Sequence, residues 1–224
     1  MPDAKDPVIV DVVSDVVCPW CFIGKRRIEK ALALVPEIPV EVRYHPYFLN
    51  DWIPREGISR EDYLTRKFGG VDRYKGIAQR VAAAAAEEGL VYAIDKINRQ
   101  PNTLDAHRLI HWATPSGKGP QMKQRLMDIY FTEGGDLSDK AVLAQAAADV
   151  GLDAGEIAQW LGSDKDVALV SQQANAAKNA GIEGVPTFII ANMFATSGAQ
   201  PPDELAQAIR RAAAERDRRE TAAE

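Results

Sequence analysis

Cysteine is almost missing from this chain: there are two in 224 residues, at positions 18 and 21. That excludes a disulfide framework. A chain this long has no need of one, since it can bury roughly 70% or more of its unfolded surface. Histidine is nearly as scarce, with His45, His107 and His111 the whole set. A closed zinc site takes four ligands, and a single CxxC supplies two. His107 and His111 are spaced to share a helix face, but HRLIH lacks the glutamate of a zinc-protease HExxH. No metal site is expected. Nor is there an excess of positive charge: 27 Lys and Arg against 32 Asp and Glu leave a formal net charge of −5. Nucleic acid and acidic membrane surfaces are therefore excluded as main partners. No run approaches the roughly 18 apolar residues of a membrane span. The N-terminal MPDAKDPVIV has no basic segment followed by a long apolar stretch, so the chain is read as soluble and cytoplasmic, without a membrane partner.

The elements that are present fall into three parts. Val8–Val17 is β-branched and nearly continuous, which reads as a buried strand running into a loop. Pro19 sits where a first helical residue would, and helix formers follow to Leu34 before Val35-Pro36 stops them. Val40–Tyr47 alternates apolar and polar residues, the period of a half-buried strand. Helix-period segments then succeed one another from about Ser59 to Leu161, among them 60–68, 71–88, 104–113, 121–132, 138–150 and 154–161, punctuated by Gly, Pro and Ser. Strand character returns only at Val185–Phe194, with Asn192 in a turn position, and a last helix begins near Pro202-Asp203. Since half of the sheet lies at each end of the chain, the helical block is an insertion. The expected division is a discontinuous domain of 1–56 and 163–224, with a helical domain of 57–162 inserted. The fold class is α/β.

CPWCFIG, residues 18–24, places two thiols at the start of a helix, after a strand. Buried structural thiols, half of a metal site and a redox pair all have to be weighed for it. The redox reading has a mechanism. A thiol at a helix start faces unpaired backbone N–H groups and the positive end of the macrodipole, so Cys18 should favour thiolate. Cys21, one turn on, can close a ring when Cys18 carries a mixed disulfide. Lys25, Arg26 and Arg27 add positive charge nearby, while Asp15 opposes the thiolate. Asp11 or Asp15, if buried, could accept the Cys21 proton; a surface loop acid is the plainer expectation for Asp15. In the predicted helix 104–113 the apolar residues form the core and His107 and His111 flank it.

A second motif, Gly184-Val185-Pro186-Thr187, opens the returning strands. Pro cannot donate to a ladder and so belongs at a strand start or edge. A cis Val185–Pro186 bond would present the Val185 backbone N–H and C=O to a bound substrate.

Together SDVVCPWCFIGKRRIEKAL, PNTLDAHRLIHWA, GIEGVPTFII and SGAQPPDEL resemble the DsbA-like branch of the thioredoxin fold, and within it the FrnE-type proteins, over nearly the whole chain. The resemblance implies a thioredoxin-like fold with a large all-α insertion, and thiol–disulfide exchange. Cys18 would be the attacking thiolate, Cys21 the resolving thiol and Pro186 the cis proline opposite them. Pro19, Trp20, Val185 and Pro186 would meet the substrate, a disulfide- or thiol-containing protein or small molecule. No cofactor is required, and a homodimer stays open. Some FrnE-type proteins carry a second cysteine pair that this chain lacks, which rules out an internal relay.

The 2-hydroxychromene-2-carboxylate isomerases and kappa-class glutathione transferases are also similar. They carry serine where this chain has Cys18. An isomerase or transferase reading would make glutathione a co-substrate, with Asn102, Thr103 and Ser197–Gln200 lining the pocket and Trp20, Phe48 and Trp52 as aromatic walls. A third reading is a non-catalytic binding module on the same fold.

Overall fold

The computed structural model describes residues 6–223. Its organising strand is β1, Val8–Ser14, whose side chains alternate across a mixed four-stranded sheet. β1 runs parallel to β2 (Val40–Pro46), with Val8 opposite Val40 and Ser14 opposite Pro46. On its other side it is antiparallel to β5 (Thr187–Ile190), which pairs in turn with β6 (Phe194–Ser197). β2 and β6 are therefore the edges. The β5–β6 turn puts Ala191 and Asn192 at positive φ, 52° and 54°; Asn tolerates that region better than most residues.

One sheet face, Val8, Val10, Val12, Phe188 and Ile190, packs against α1 (Pro19–Ala33) and α9 (Pro202–Ala223) through Ile28, Ala31, Leu205, Ile209 and Ala212. Each large aliphatic side chain buried there contributes roughly 1.5–3 kcal/mol, and truncating one such as Ile28 to Ala costs about 2–5 kcal/mol. The opposite face is polar. Asp11 Oδ1 accepts from His45 Nε2 at 2.6 Å, and Arg43 pairs with Glu41. β1 is thus half-buried at Ile9 and Asp11, not buried throughout as its apolar run suggests.

Between β2 and β5 lie seven helices: α2 (Arg60–Phe68), α3 (Val71–Glu87), α4 (Leu104–Ala113), α5 (Gly119–Asp128), α6 (Lys140–Asp149), α7 (Ala154–Leu161) and α8 (Val167–Asn179). Short polar signals start them. Ser59 accepts from Asp62 N–H at 3.0 Å, and Asp139 and Asp153 cap α6 and α7 in the same way. A two-residue ladder, β3 (Ile58–Ser59) with β4 (Arg99–Gln100), is the β structure inside this block. After α5 the chain widens into a π turn over Ile129–Glu133, so the helix-period segment 121–132 is not one uniform helix.

The largest apolar cluster decides where the site sits. It joins the helical block, through Leu109, Met122, Leu126 and Phe131, to Cys18, Cys21, Phe22 and Ile23 at the start of α1. α1 therefore has two buried sides, one against the sheet and one against the helices. The paired cysteines lie at the seam.

Candidate active site

Cys18 occupies the N-cap position of α1 with extended backbone (φ −88°, ψ 115°), and Pro19 follows in the first turn, where its missing N–H costs nothing. No side chain caps this end and no acid lies in the first turn. The carbonyl of Cys18 accepts from the N–H groups of Cys21 and Phe22 at 2.9 and 3.1 Å. Both cysteines are free thiols, 4% and 1% exposed. Trp20, 40% exposed, is the most open residue of the motif, and Pro19 is half-buried.

Opposite them is the loop before β5. The Val185–Pro186 bond is cis, and the Val185 carbonyl lies 3.5 Å from Cys18 Sγ, which donates to it when protonated. Thr187 Oγ1 donates to the Gly184 carbonyl at 2.7 Å and meets Ser197 Oγ at 2.9 Å, which ties the loop to β6. A residue absent from the expected site makes this approach possible. A Cβ on Gly24 would stand 2.9 Å from Pro186 Cγ and 3.4 Å from Phe188, so only glycine lets the proline ring lie on α1. The structure thus brings Cys18, Cys21, Pro19, Trp20, Val185 and Pro186 to one place.

The two thiols titrate differently. A hydrogen bond from the Cys21 thiol, helped by the N–H groups of Cys21 and Trp20, holds Cys18 below its ordinary value against burial and the Asp15 charge. Burial pushes Cys21 well above its ordinary value, and Cys18 adds to this through its hydrogen bond and charge. The basic residues after the motif do not supply the expected field. Lys25 and Arg26 are taken by Glu29, and Arg27 by Glu88 and the Ala199 carbonyl. Cys18 is lowered by its own turn.

Asp15 is not a surface acid. It is fully buried, its Oδ2 accepts from Leu49 N–H at 2.9 Å, and its Oδ1 is 3.2 Å from His107 Nε2. His107 is likewise buried, where a flanking position was expected, and its ring also bonds the main chain of Tyr47. Burial depresses its pKa and the Asp15 contact opposes the fall. Asp11 sits apart, on the polar sheet face with His45. Sequence periodicity missed His107 because its burial depends on α4 docking against the β1–α1 loop, 92 residues away.

Beside Cys18, Lys67 of α2 donates to Asn50 Oδ1 and feels the Cys18 charge. The candidates for a glutathione pocket are differently employed. Asn102 bonds the Ile53 carbonyl and the Leu104 N–H, and Trp52 stacks on Tyr63 with Arg66 over its face. Phe48 lies against His107. Among the described residues no group of three or more His, Cys, Asp or Glu could hold a metal ion, and no helix is long and apolar enough to cross a membrane.

Comparison with known proteins places this geometry. The DSBA-like thioredoxin domain family matches residues 9–210. A probable DsbA oxidoreductase from Streptomyces coelicolor is 30% identical, with a TM-score of 0.85 over 93% of this chain and 91% of its own. The uncharacterized protein YwbO of Bacillus subtilis is 28% identical over 204 residues, 90% of this chain and 96% of its own. The cytosolic disulfide reductase DsbM of Pseudomonas aeruginosa, in a structure with GSH, shares the fold at 18% identity, with a TM-score of 0.59 over 94% of this chain and 98% of its own.

Proposed function

The chain belongs to the DSBA-like thioredoxin domain family, and on that premise we propose that it is a thiol–disulfide oxidoreductase working through Cys18 and Cys21. The observation that carries this is the difference between the two thiols. Cys18, at a helix start and held low by Cys21, faces the Val185 carbonyl at 3.5 Å. Cys21 is buried one turn behind and held protonated.

In the reducing direction the Cys18 thiolate attacks one sulfur of a substrate disulfide. The S–S bond breaks, the leaving sulfur departs as thiolate and takes a proton, and a mixed disulfide forms at Cys18. Cys21 then gives up its proton and attacks Cys18 Sγ, releasing the second substrate thiol and leaving a Cys18–Cys21 disulfide. Two electrons pass from the dithiol to the substrate, and oxidation is the reverse. The raised pKa of Cys21 means that resolution needs a proton acceptor, and the buried Asp15 carboxylate is the one we assign. The exposed Trp20 and the half-buried Pro19 and Val185 are the surface that a disulfide- or thiol-containing substrate would meet. Within the family, CPWC together with GVPT supports the FrnE-type branch.

A glutathione-dependent isomerase draws only on likeness of fold, and a cysteine stands at position 18 where those proteins resemble this one with serine. The test is a Cys21→Ala variant exposed to a mixed peptide disulfide and to oxidised glutathione. Mass spectrometry should find a stable adduct on Cys18. A variant that captures neither, while the wild type shows no dithiol turnover, contradicts the proposal.

A further inference from the structure

All three histidines of this chain line one cavity of about 470 Å3. Its walls are the free edge of β2, one side of α4 and the first turns of α5. The charged and titratable side chains there are Arg43, His45, His107, His111 and Lys123, against one carboxylate, Glu41, whose oxygens Arg43 already occupies. Asp11 holds His45 and Asp15 holds His107, so among the described residues Lys123 is the lining cation with no carboxylate bonded to it.

Two independent features point to an anion. Lys123 is 1% exposed, and its Nζ has no hydrogen-bond partner among the described residues. It lies over the Tyr44 ring at 5.1 Å. A buried ammonium without a hydrogen-bonding partner is costly, and a ligand that accepts its protons removes that cost. The second feature is α5 itself, ten residues long. It begins in the cavity wall at Gly119-Pro120, with no side-chain cap and no acid in its first turn. Its free N–H groups and positive dipole end are open to a negative group. Lys123 stands one turn inside that same end.

We propose that this cavity binds a small anion carrying a carboxylate or phosphate group, held by Lys123 and the uncapped first turn of α5, with His111 beside it. Ile110, Tyr44 and Pro120 supply apolar wall for whatever the anionic group is attached to. Burial pushes Lys123 down to about 8, so its charge, and with it the affinity, should fade as pH rises through that value. The groups acting on Lys123 are Cys21 and Lys25 from α1, Cys18 and Asp15 at its start, Tyr44 from β2 and His107 from α4, and His45 and His111 line the same cavity. A bound anion would restore a full positive charge on Lys123.

The test is calorimetric titration of the reduced wild-type protein with inorganic phosphate and, separately, with acetate, in low-chloride buffer. It reads binding and not turnover, so its failure is separate from any failure of the redox reading. One saturable site is expected for at least one probe. Lys123→Met should weaken it at least about tenfold, about 1.4 kcal/mol, while Lys75→Met on the exposed side of α3 should leave it unchanged. Raising pH from about 7 to about 9.5 should weaken the wild type and not Lys123→Met. His111→Gln, at a half-buried position, should weaken binding severalfold and covers the case in which Lys123→Met does not fold. Absence of saturable binding up to about 10 mM, or equal affinity in Lys123→Met and wild type, overturns the proposal.

Discussion

Asp15 and His107, 92 residues apart in the chain, share a 3.2 Å hydrogen bond with both side chains shut off from water. The carboxylate comes from the loop that delivers Cys18, and the imidazole from a helix of the inserted block. The buried carboxylate opposes thiolate at Cys18, while the main chain of Asp15 bonds the Cys21 thiol. The hydrogen bond also ties the sheet to the helical block at the point where the chemistry is proposed.

Replacing Asp15 by Asn removes the charge and keeps the shape. The Cys18 thiolate should then form at lower pH, because a neighbouring negative charge no longer resists it. Release of the mixed disulfide should slow by about 100-fold, the loss typical of a missing proton acceptor. Stopped-flow measurement of the two steps separates these effects. An unchanged resolving step would remove Asp15 from the mechanism.

His107 carries a pH signature with a definite sign. Burial depresses its folded pKa below the ordinary 6.5. Its contribution to stability is therefore present above that value and is lost as pH falls through the folded pKa. Urea unfolding of the wild type should show stability declining below about pH 6, and His107→Gln should flatten that decline. The same slope in both proteins would place the titration elsewhere.

Gly24→Ala tests the fit between α1 and the Val185–Pro186 loop. The new Cβ would meet Pro186 Cγ at 2.9 Å, so the loop must shift away from Cys18. A stability loss of about 1–3 kcal/mol is expected, with slower mixed-disulfide formation. Unchanged melting and unchanged attack would show that the loop yields freely.

Arg108 provides a structural control. Fully buried, it donates to the carbonyls of Trp160, Ser163 and Lys165 and to Asp105, joining α4 to the end of α7 and the turn into α8. Arg108→Met should cost about 3–5 kcal/mol in denaturant unfolding, since it strands those acceptors. The pH at which Cys18 ionises should stay the same under native conditions.

Much of this arrangement was readable from local pattern. The helices over 60–68, 104–113 and 154–161 fall where their periodicity and end signals put them, because short-range preference and burial agree there. Residues 8–46 read as strand, helix and strand for the same reason. What escaped detection shares another character. Asp15, His107 and Lys123 are polar residues buried by contacts between distant segments, and nothing in their immediate neighbours marks them. Gly24 was in plain view inside CPWCFIG, yet its role depends on a proline 162 positions later. Local pattern left the balance between Lys25–Arg27 and Asp15 open, because it does not show that Glu29 and Glu88 pair with those cations while Asp15 is buried against Cys18.

The most direct measurement is competitive alkylation of the native, reduced protein across a pH series, followed by peptide mapping of Cys18 and Cys21. Cys18 should react first, with a midpoint below the ordinary thiol value of about 8.5, while Cys21 stays unmodified until the protein unfolds. Equal modification of the two cysteines, or a Cys18 midpoint at or above about 8.5, would contradict the division of labour on which the proposed exchange rests.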